Sequence, residues 1–341
     1  MSKVRFAVIG FGHIGRRHAA LVAAHPDAEL VGVCDVAQVE AGPVPPSVPV
    51  FESLSDLLKS VPFDVACVCT PNGLHADQAI ACLEAGRHVV VEKPIALTVP
   101  DCDRLITVAR AGGLHVFGVM QNRYSPASAW LKSVVDRKLL GRVLQVHLDC
   151  FWNRDGRYYA GPNGERHPWH GDATLDGGVL FTQFAHFIDL LCWTFPGVTV
   201  TSARHANQTH ADWHPFPDTG MIQFRLPDGG FGSLNYGTVV YDRNFESTLS
   251  VLGDRGTVKL GGQYMNELRY CHVAGMEAPE LPVSAPPNDY GPYQGSAANH
   301  HFVIDNAIRV LREADTVATS AEEGREVVRF ITRVEQISEP V

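Results

Sequence analysis

The sequence predicts two α/β domains. The first is built on a parallel, doubly wound sheet, and the second on an open, mostly antiparallel sheet. Three observations carry this. A glycine-rich turn, Gly10-Phe11-Gly12-His13-Ile14-Gly15, joins a short apolar run to a helical one. Short apolar runs then alternate with helical segments as far as Val119. Beyond it, long alternating segments separated by Gly and Asp-Gly turns take over. The expected boundary puts residues 1–121 in a dinucleotide-binding Rossmann domain and 122–341 in a substrate-binding and oligomerisation domain.

The first strand is Val4 to Ile9, and the helix after the glycine turn stops at His25-Pro26. A G-x-G-x-x-G is informative only between a strand and a helix, which is its setting here. Gly10 makes the tight turn, Gly12 lets backbone approach a pyrophosphate, and Gly15 lets helix and strand pack. The helix N-terminus supplies N–H groups to the phosphates. The next strand, Glu29 to Cys34, ends in Asp35, about 20 residues past Gly15, where a carboxylate accepts both ribose hydroxyls and repels a 2′-phosphate. That favours NAD over NADP.

The alternation continues with a short helix ending at Asp56 to Ser60 and a strand from Asp64 to Thr70. A helix from Leu74 to Ala85 and a strand from His88 to Lys93 follow, then a helix from Val99 to Ala111 and a strand from Leu114 to Val119. The proline-rich segment from Ala41 to Pro49 reads as a surface loop. Thr70-Pro71-Asn72 closes a strand at the ligand end of the sheet, so Asn72 or His75 could touch the cofactor or serve the turn. Val89-Val90-Val91-Glu92-Lys93-Pro94 is a buried strand ending in two charges and a proline. A lysine there can reach a substrate; alternatively, Glu92 and Lys93 are a surface pair capping the strand.

Past Val119, Pro126 to Asp136 reads as a helix. Val143 to Trp152, Val198 to Asn207, Thr219 to Leu226, Phe231 to Val240 and Phe245 to Leu252 read as strands. One sheet face is expected under helices, leaving the other for a substrate or a second subunit, so a homo-oligomer, dimer or tetramer, is expected through it. Asp176-Gly177-Gly178 leads into a helix on which Thr182, His186 and Asp189 fall at i, i+4 and i+7. Histidine suits proton exchange near neutral pH, though Asp189 could equally satisfy a core histidine. Arg154, Arg157, Tyr158, Tyr159 and Trp169 form an aromatic and basic loop suited to a diphosphate, carboxylate, base or sugar.

The chain has 341 residues, 45% hydrophobic and 19% charged, with a net charge of −9, so composition does not suggest a nucleic-acid surface, though a local basic patch could hold an anionic small ligand. Eight cysteines show no convincing zinc spacing, and buried thiols in a reducing compartment are expected, with no metal. No leader-like stretch precedes the first strand and no apolar run reaches membrane-spanning length, so a cytoplasmic location without membrane contact is expected.

Taken together, Gly10 to Gly15, Thr70-Pro71-Asn72 with His75, Glu92-Lys93-Pro94, and Gly177-Gly178 to His186-x-x-Asp189 resemble the Gfo/Idh/MocA oxidoreductases over nearly the whole length. The resemblance implies nicotinamide-dependent oxidation or reduction of a sugar or cyclitol carbon, with Lys93 and His186 bracketing the reacting hydroxyl. It also implies cofactor contacts from Phe11, His13, Ile14, Glu92, Lys93 and Gln121, and substrate contacts from Arg123, Arg157, Tyr158, Trp169, Thr182 and Gln183. Many family members have aspartate where this chain has Thr182, which argues against a plain inositol dehydrogenase.

Within the family the chain is most similar to bacterial UDP-N-acetylglucosaminuronate 3-dehydrogenases. Gln121-Asn122-Arg123-Tyr124, Arg157-Tyr158-Tyr159, Trp169-x-Gly171, Tyr241-x-Arg243-Asn244 and Gly253-x-x-Gly256-Thr257-Val258 match. His170, Asp172 and Thr182 depart from the arginine, threonine and asparagine common there. The expected reaction is NAD-dependent oxidation at C3 of such a sugar nucleotide. The alternatives are a free sugar or cyclitol dehydrogenase and a non-catalytic NAD(H)-sensing protein.

Overall fold

The computed structural model describes residues 2–39, 44–160, 164–284, 286 and 298–340. Part of the expected loop from Ala41 to Pro49 lies outside them. The chain divides into two compact units, Met1–Met120 with His300–Val328, and Gln121–Asn299 with Arg329–Val341.

In the first unit, β1 (Val4–Ile9), β2 (Ala28–Cys34), β3 (Val50–Phe51), β4 (Val65–Val68), β5 (His88–Val91) and β6 (Val116–Gly118) form a parallel sheet in the order β3-β2-β1-β4-β5-β6. The helices between them are α1 (His13–Ala24), α2 (Leu54–Ser60), α3 (His75–Glu84) and α4 (Val99–Gly112). Apolar residues Phe6 to Ile9, Val65 to Val68 and Val89 to Val91 are buried throughout, as a sheet covered on both faces requires. Local chemistry sets the helix ends. Thr98 caps α4 by accepting from Asp101 N at 3.2 Å, Pro100 sits in its first turn, and Gly113 stops it in the left-handed region at φ 63°. The strand order reverses between β1 and β4, where ligands bind in such sheets. The two-residue β3 is too short to leave a periodic signal in the sequence.

The expected boundary needs a correction at its C-terminal side. Residues 300–328, with α8 (His300–Leu311) and the start of α9 (Ala321–Ile337), fold back onto the first unit. Gly118 N donates to Thr319 O at 2.9 Å, and a β-carbon on Gly324 would lie 2.9 Å from Ile95. Amphipathic pattern alone does not tell such helices which sheet to cover.

The second unit contains α5 (Pro126–Asp136), β7 (Val143–Phe151), α6 (Gly156–Tyr159) and α7 (Ala185–Thr194). It continues through β8 (Thr199–Ala206), β9 (Thr219–Arg225), β10 (Phe231–Gly237), β11 (Glu246–Gly253), β12 (Gly256–Gly261) and β13 (Glu267–Val273), and ends in β14 (Ser338–Pro340). The sheet runs β13-β12-β11-β7-β10-β9-β8-β14, antiparallel except for β7–β10 and β8–β14. Val146, Leu148, Ile222, Phe224, Leu234, Leu249 and Val251 face the core in strict alternation. The residues between them on the central strands are largely polar. His147 bonds Gln145 and Ser233, Asn235 donates to Asp149 at 2.7 Å, and Ser202 donates to Gln223. The opposite face is therefore less apolar than its strand pattern suggested, and Met221 and Phe231 are exposed on the sheet.

All eight cysteines are free, and six are buried. Burial pushes the Cys82 thiol up to about 12, the signature of an inert thiol. Among the described residues no helix is long and apolar enough to cross a membrane.

Candidate functional site

In the first unit the glycine turn stands at the β1 end of the reversal point. Gly10 adopts φ 85°, and a β-carbon there would lie 2.7 Å from the Cys69 backbone. One on Gly15 would lie 1.9 Å from Gly10 O, whereas one on Gly12 would meet no atom of the described residues within 4 Å. The first and third glycines are thus required by the protein itself, and the second leaves an open cradle. Gly12 and His13 are exposed, Phe11 and Gly15 buried, and Ile14 half-buried. Gly12 caps α1 with no side-chain bond, the form of helix start that suits an anionic ligand. Asp35 receives Phe11 N at 2.5 Å and Ala37 N at 2.8 Å, which fixes the carboxylate beside the turn. An open cradle, an uncapped helix start and a positioned carboxylate fit a dinucleotide with a free ribose 2′-hydroxyl.

The β4 and β5 ends complete this half. Thr70 and Pro71 are half-buried and Asn72 is buried. Thr70 Oγ1 donates to Gln78 Oε1 at 2.7 Å. His75 is 1% exposed, with Nδ1 2.7 Å from Pro94 O and Nε2 2.7 Å from Thr70 O. Its ring therefore staples two loops, which is the turn role offered for it beside a cofactor contact. Burial pulls its pKa down, while the bonds to Pro94 and Thr70 oppose that. A neutral ring satisfies one of the two carbonyls, a protonated ring both. Lys93 is half-buried, and its peptide bond to Pro94 is cis. Glu92 is buried and accepts Lys93 N at 3.2 Å and His18 Nε2 at 2.9 Å. Burial works against its ionisation, but the His18 bond and neighbouring positive charge outweigh it and hold the pKa low.

In the second unit His186 lies in α7, 4% exposed, with Nε2 3.3 Å from Gln121 Nε2. Gln121, expected at the cofactor, is thus set against the histidine, and Asn299 Nδ2 donates to its carbonyl at 3.2 Å. The expected polar stripe is not continuous. Leu180–Phe184 winds as a π-helix before α7, and this wider turn breaks the i, i+4 relation. Thr182 hydroxyl donates to the Asp176 side chain and to Asp176 O at 3.1 Å, holding the Gly177-Gly178 turn. Asp189 grips Arg123 through two bonds of 2.7 and 2.5 Å, both side chains being buried. Arg123 also lies 5.1 Å from the Trp193 ring, so its guanidinium has a structural role beside the substrate contact expected of it.

The aromatic and basic loop divides in two. Arg157 is exposed and paired with Asp155 at 2.7 Å and Asp242 at 3.4 Å. Arg154, given less weight in the sequence, is the buried one. It donates to Gln183 Oε1 at 2.8 Å, and Gln183 Nε2 donates to Tyr158 OH at 2.9 Å. Its guanidinium lies over the Trp152 and Tyr158 rings. Tyr158 stacks on His170 at 4.1 Å, and half-buried Trp169 meets the same imidazole edge-on. Sequence reasoning passed over His210 and Asp218, a buried pair at 2.8 Å that pins residues 207–218.

Residues 4–119 match the family model for the Gfo/Idh/MocA oxidoreductases with an NAD-binding Rossmann fold, and residues 129–259 match that family's C-terminal domain. The chain belongs to this family. Its cofactor is NAD. The WlbA dehydrogenase from Bordetella pertussis, crystallised with NADH and UDP-GlcNAcA, is 30% identical, with a TM-score of 0.84, 98% of this chain and 95% of that chain covered. The WlbA enzyme from Chromobacterium violaceum, crystallised with the same pair, is 28% identical with a TM-score of 0.85, covering 98% and 94%. Inositol 2-dehydrogenase of Salmonella paratyphi B is 27% identical over 56% of this chain, and the match spans only 54% of that enzyme.

Proposed function

We propose that the protein is an NAD-dependent dehydrogenase that oxidises a sugar hydroxyl, at C3 of UDP-N-acetylglucosaminuronate or a close sugar nucleotide. The observation that carries this is the likeness, through 98% of the chain, to an enzyme crystallised with that sugar nucleotide. Inositol dehydrogenases match over 56% to 75% of the chain at 27% to 29% identity. The bonds of Thr182 to Asp176 also support it, because this hydroxyl is tied to a turn and is a poor stand-in for an acid.

NAD, when bound, supplies the hydride acceptor. The chain supplies the handling of the hydroxyl proton, for which Lys93 and His186 are the proposed pair. Asp35 selects the free 2′-hydroxyl of NAD over a phosphate. Gln121, bonded to His186 Nε2, orients the imidazole, and Arg154 with Gln183 supports Tyr158 and the ring stack where a sugar nucleotide is expected. A homo-oligomer in the cytoplasm is part of the same proposal, resting on sequence pattern.

The test is NADH absorbance after mixing protein and NAD with UDP-N-acetylglucosaminuronate, with glucose and myo-inositol in parallel. A rise with the sugar nucleotide alone is expected. A rise with myo-inositol alone moves the assignment to a cyclitol dehydrogenase, and silence in all three, repeated with a 2-keto acid as oxidant, removes the proposed substrate. In the active assay Lys93→Ala is expected to lose about 10²–10⁴-fold in turnover while still binding NAD.

A further inference from the structure

Three buried side chains far apart in sequence meet inside the first unit: His18 of α1, Glu92 just past β5, and His300 at the start of α8. They are 0%, 6% and 1% exposed. One carboxylate oxygen, Glu92 Oε1, faces both imidazoles, at 2.9 Å from His18 Nε2 and 3.6 Å from His300 Nε2. One ligand atom from each residue lies within 4.8 Å of the others. The two rings are perpendicular, with centroids 5.6 Å apart, so their edges and not their faces converge.

A hydrogen bond between His18 and Glu92 explains two members of this trio but not the third. Among the described residues, neither ring nitrogen of His300 has a hydrogen-bond partner, and His18 Nδ1 has none. A buried polar atom left so costs about 1–3 kcal/mol, so an imidazole there needs a reason. Two imidazole nitrogens and a carboxylate oxygen are a donor set that zinc uses. Metal–ligand bonds of about 2.0–2.1 Å at tetrahedral angles separate ligand atoms by about 3.3 Å, and the two measured separations lie on either side of that.

We propose that His18, Glu92 and His300 form a buried site for a single divalent cation of the zinc class. The ion would tie α1 and α8 to the strand end that carries Lys93. Arg17 and Lys93 lie within electrostatic reach of the cluster, so binding is expected to require added metal. The proposal is independent of which sugar the enzyme oxidises.

The test uses the full-length protein, stripped with chelator and titrated with Co²⁺. The expected result is one equivalent bound, with the visible absorption of a tetrahedral cobalt site, displaced by Zn²⁺, and a raised melting temperature. His18→Gln and His300→Gln should each abolish that equivalent. A flat visible spectrum from wild-type protein overturns the proposal, as does full cobalt binding in both variants. Should the variants not fold, X-ray absorption of the zinc-loaded wild type decides. Two imidazoles with a carboxylate support the site, and sulfur ligands or an oxygen-only shell overturn it.

Discussion

A β-carbon added at Gly15 would stand 1.9 Å from the Gly10 carbonyl oxygen, whereas one added at Gly12 would meet no atom of the described residues within 4 Å. The two positions therefore answer to different demands, packing at the first and the ligand at the second. Gly15→Ala is expected to lower the melting temperature sharply or prevent folding. Gly12→Ala should melt like the wild type without ligand yet bind NAD about tenfold or more weakly, a difference of about 1.4 kcal/mol by calorimetry. Unchanged NAD affinity in Gly12→Ala would remove the pyrophosphate from this turn. Both glycines were legible as a motif because the constraint is local to strand, turn and helix start. The partners of His75 were not. Whether its ring faces a cofactor or two backbone carbonyls depends on where the Pro94 loop passes, and that loop lies 19 residues away.

At the scale of elements, α7 shows what a helical pattern conceals. Thr182, His186 and Asp189 share a face only if the helix is α throughout, and the π-helical turn at Leu180–Phe184 removes that condition. Thr182 then serves the Asp176 turn, and Asp189 joins α7 to the segment before α5 through Arg123. Breaking a buried ion pair from one side leaves an uncompensated charge, so Arg123→Ala is expected to cost about 3–5 kcal/mol in urea unfolding. A variant with wild-type stability and a raised KM for the sugar nucleotide would instead make Arg123 a substrate ligand. The strands were read more easily than this helix, since Val143–Phe151 and Thr219–Arg225 alternate cleanly between core and outer face. Strands β12 and β13 were missed as separate elements, because the Gly261-Gly262 turn and an irregular register interrupt their period.

Over the whole molecule, acid should weaken the fold, and in the second unit it acts through residues 207–218. Burial pulls the His214 pKa down to about 4, helped by neighbouring His210, so folding excludes a proton that the unfolded chain accepts below its ordinary value near 6.5. That contribution is complete above pH 6.5 and is lost as pH falls toward 4. Asp218 continues the trend. Burial resists its ionisation, but the bonds from His210, Gln208 and Thr209 outweigh it and hold the pKa at about 2. Its contribution is complete above about pH 4 and is lost as pH falls through 2. Urea midpoints followed by tryptophan fluorescence are expected to be level at pH 7–8 and to drop steadily from pH 6.5 to 4. Midpoints that stay level to pH 4 would mean that His214 takes up its proton without cost to the fold.

The sequence by itself determined the two kinds of sheet, the dinucleotide turn with Asp35, and the candidacy of Lys93 and His186. Each of these is written in a short window, where strand period, helix start and turn chemistry act between near neighbours. Tertiary structure alone decided that residues 300–328 return to the first unit, that Arg123 pairs with Asp189, and that Arg154 and not Arg157 is the buried arginine. It alone brought His18, Glu92 and His300 together. The physical reason is common to all four: a charge or an imidazole acquires its role from what is buried beside it, and burial partners are chosen by the packing of whole elements, not by distance along the chain.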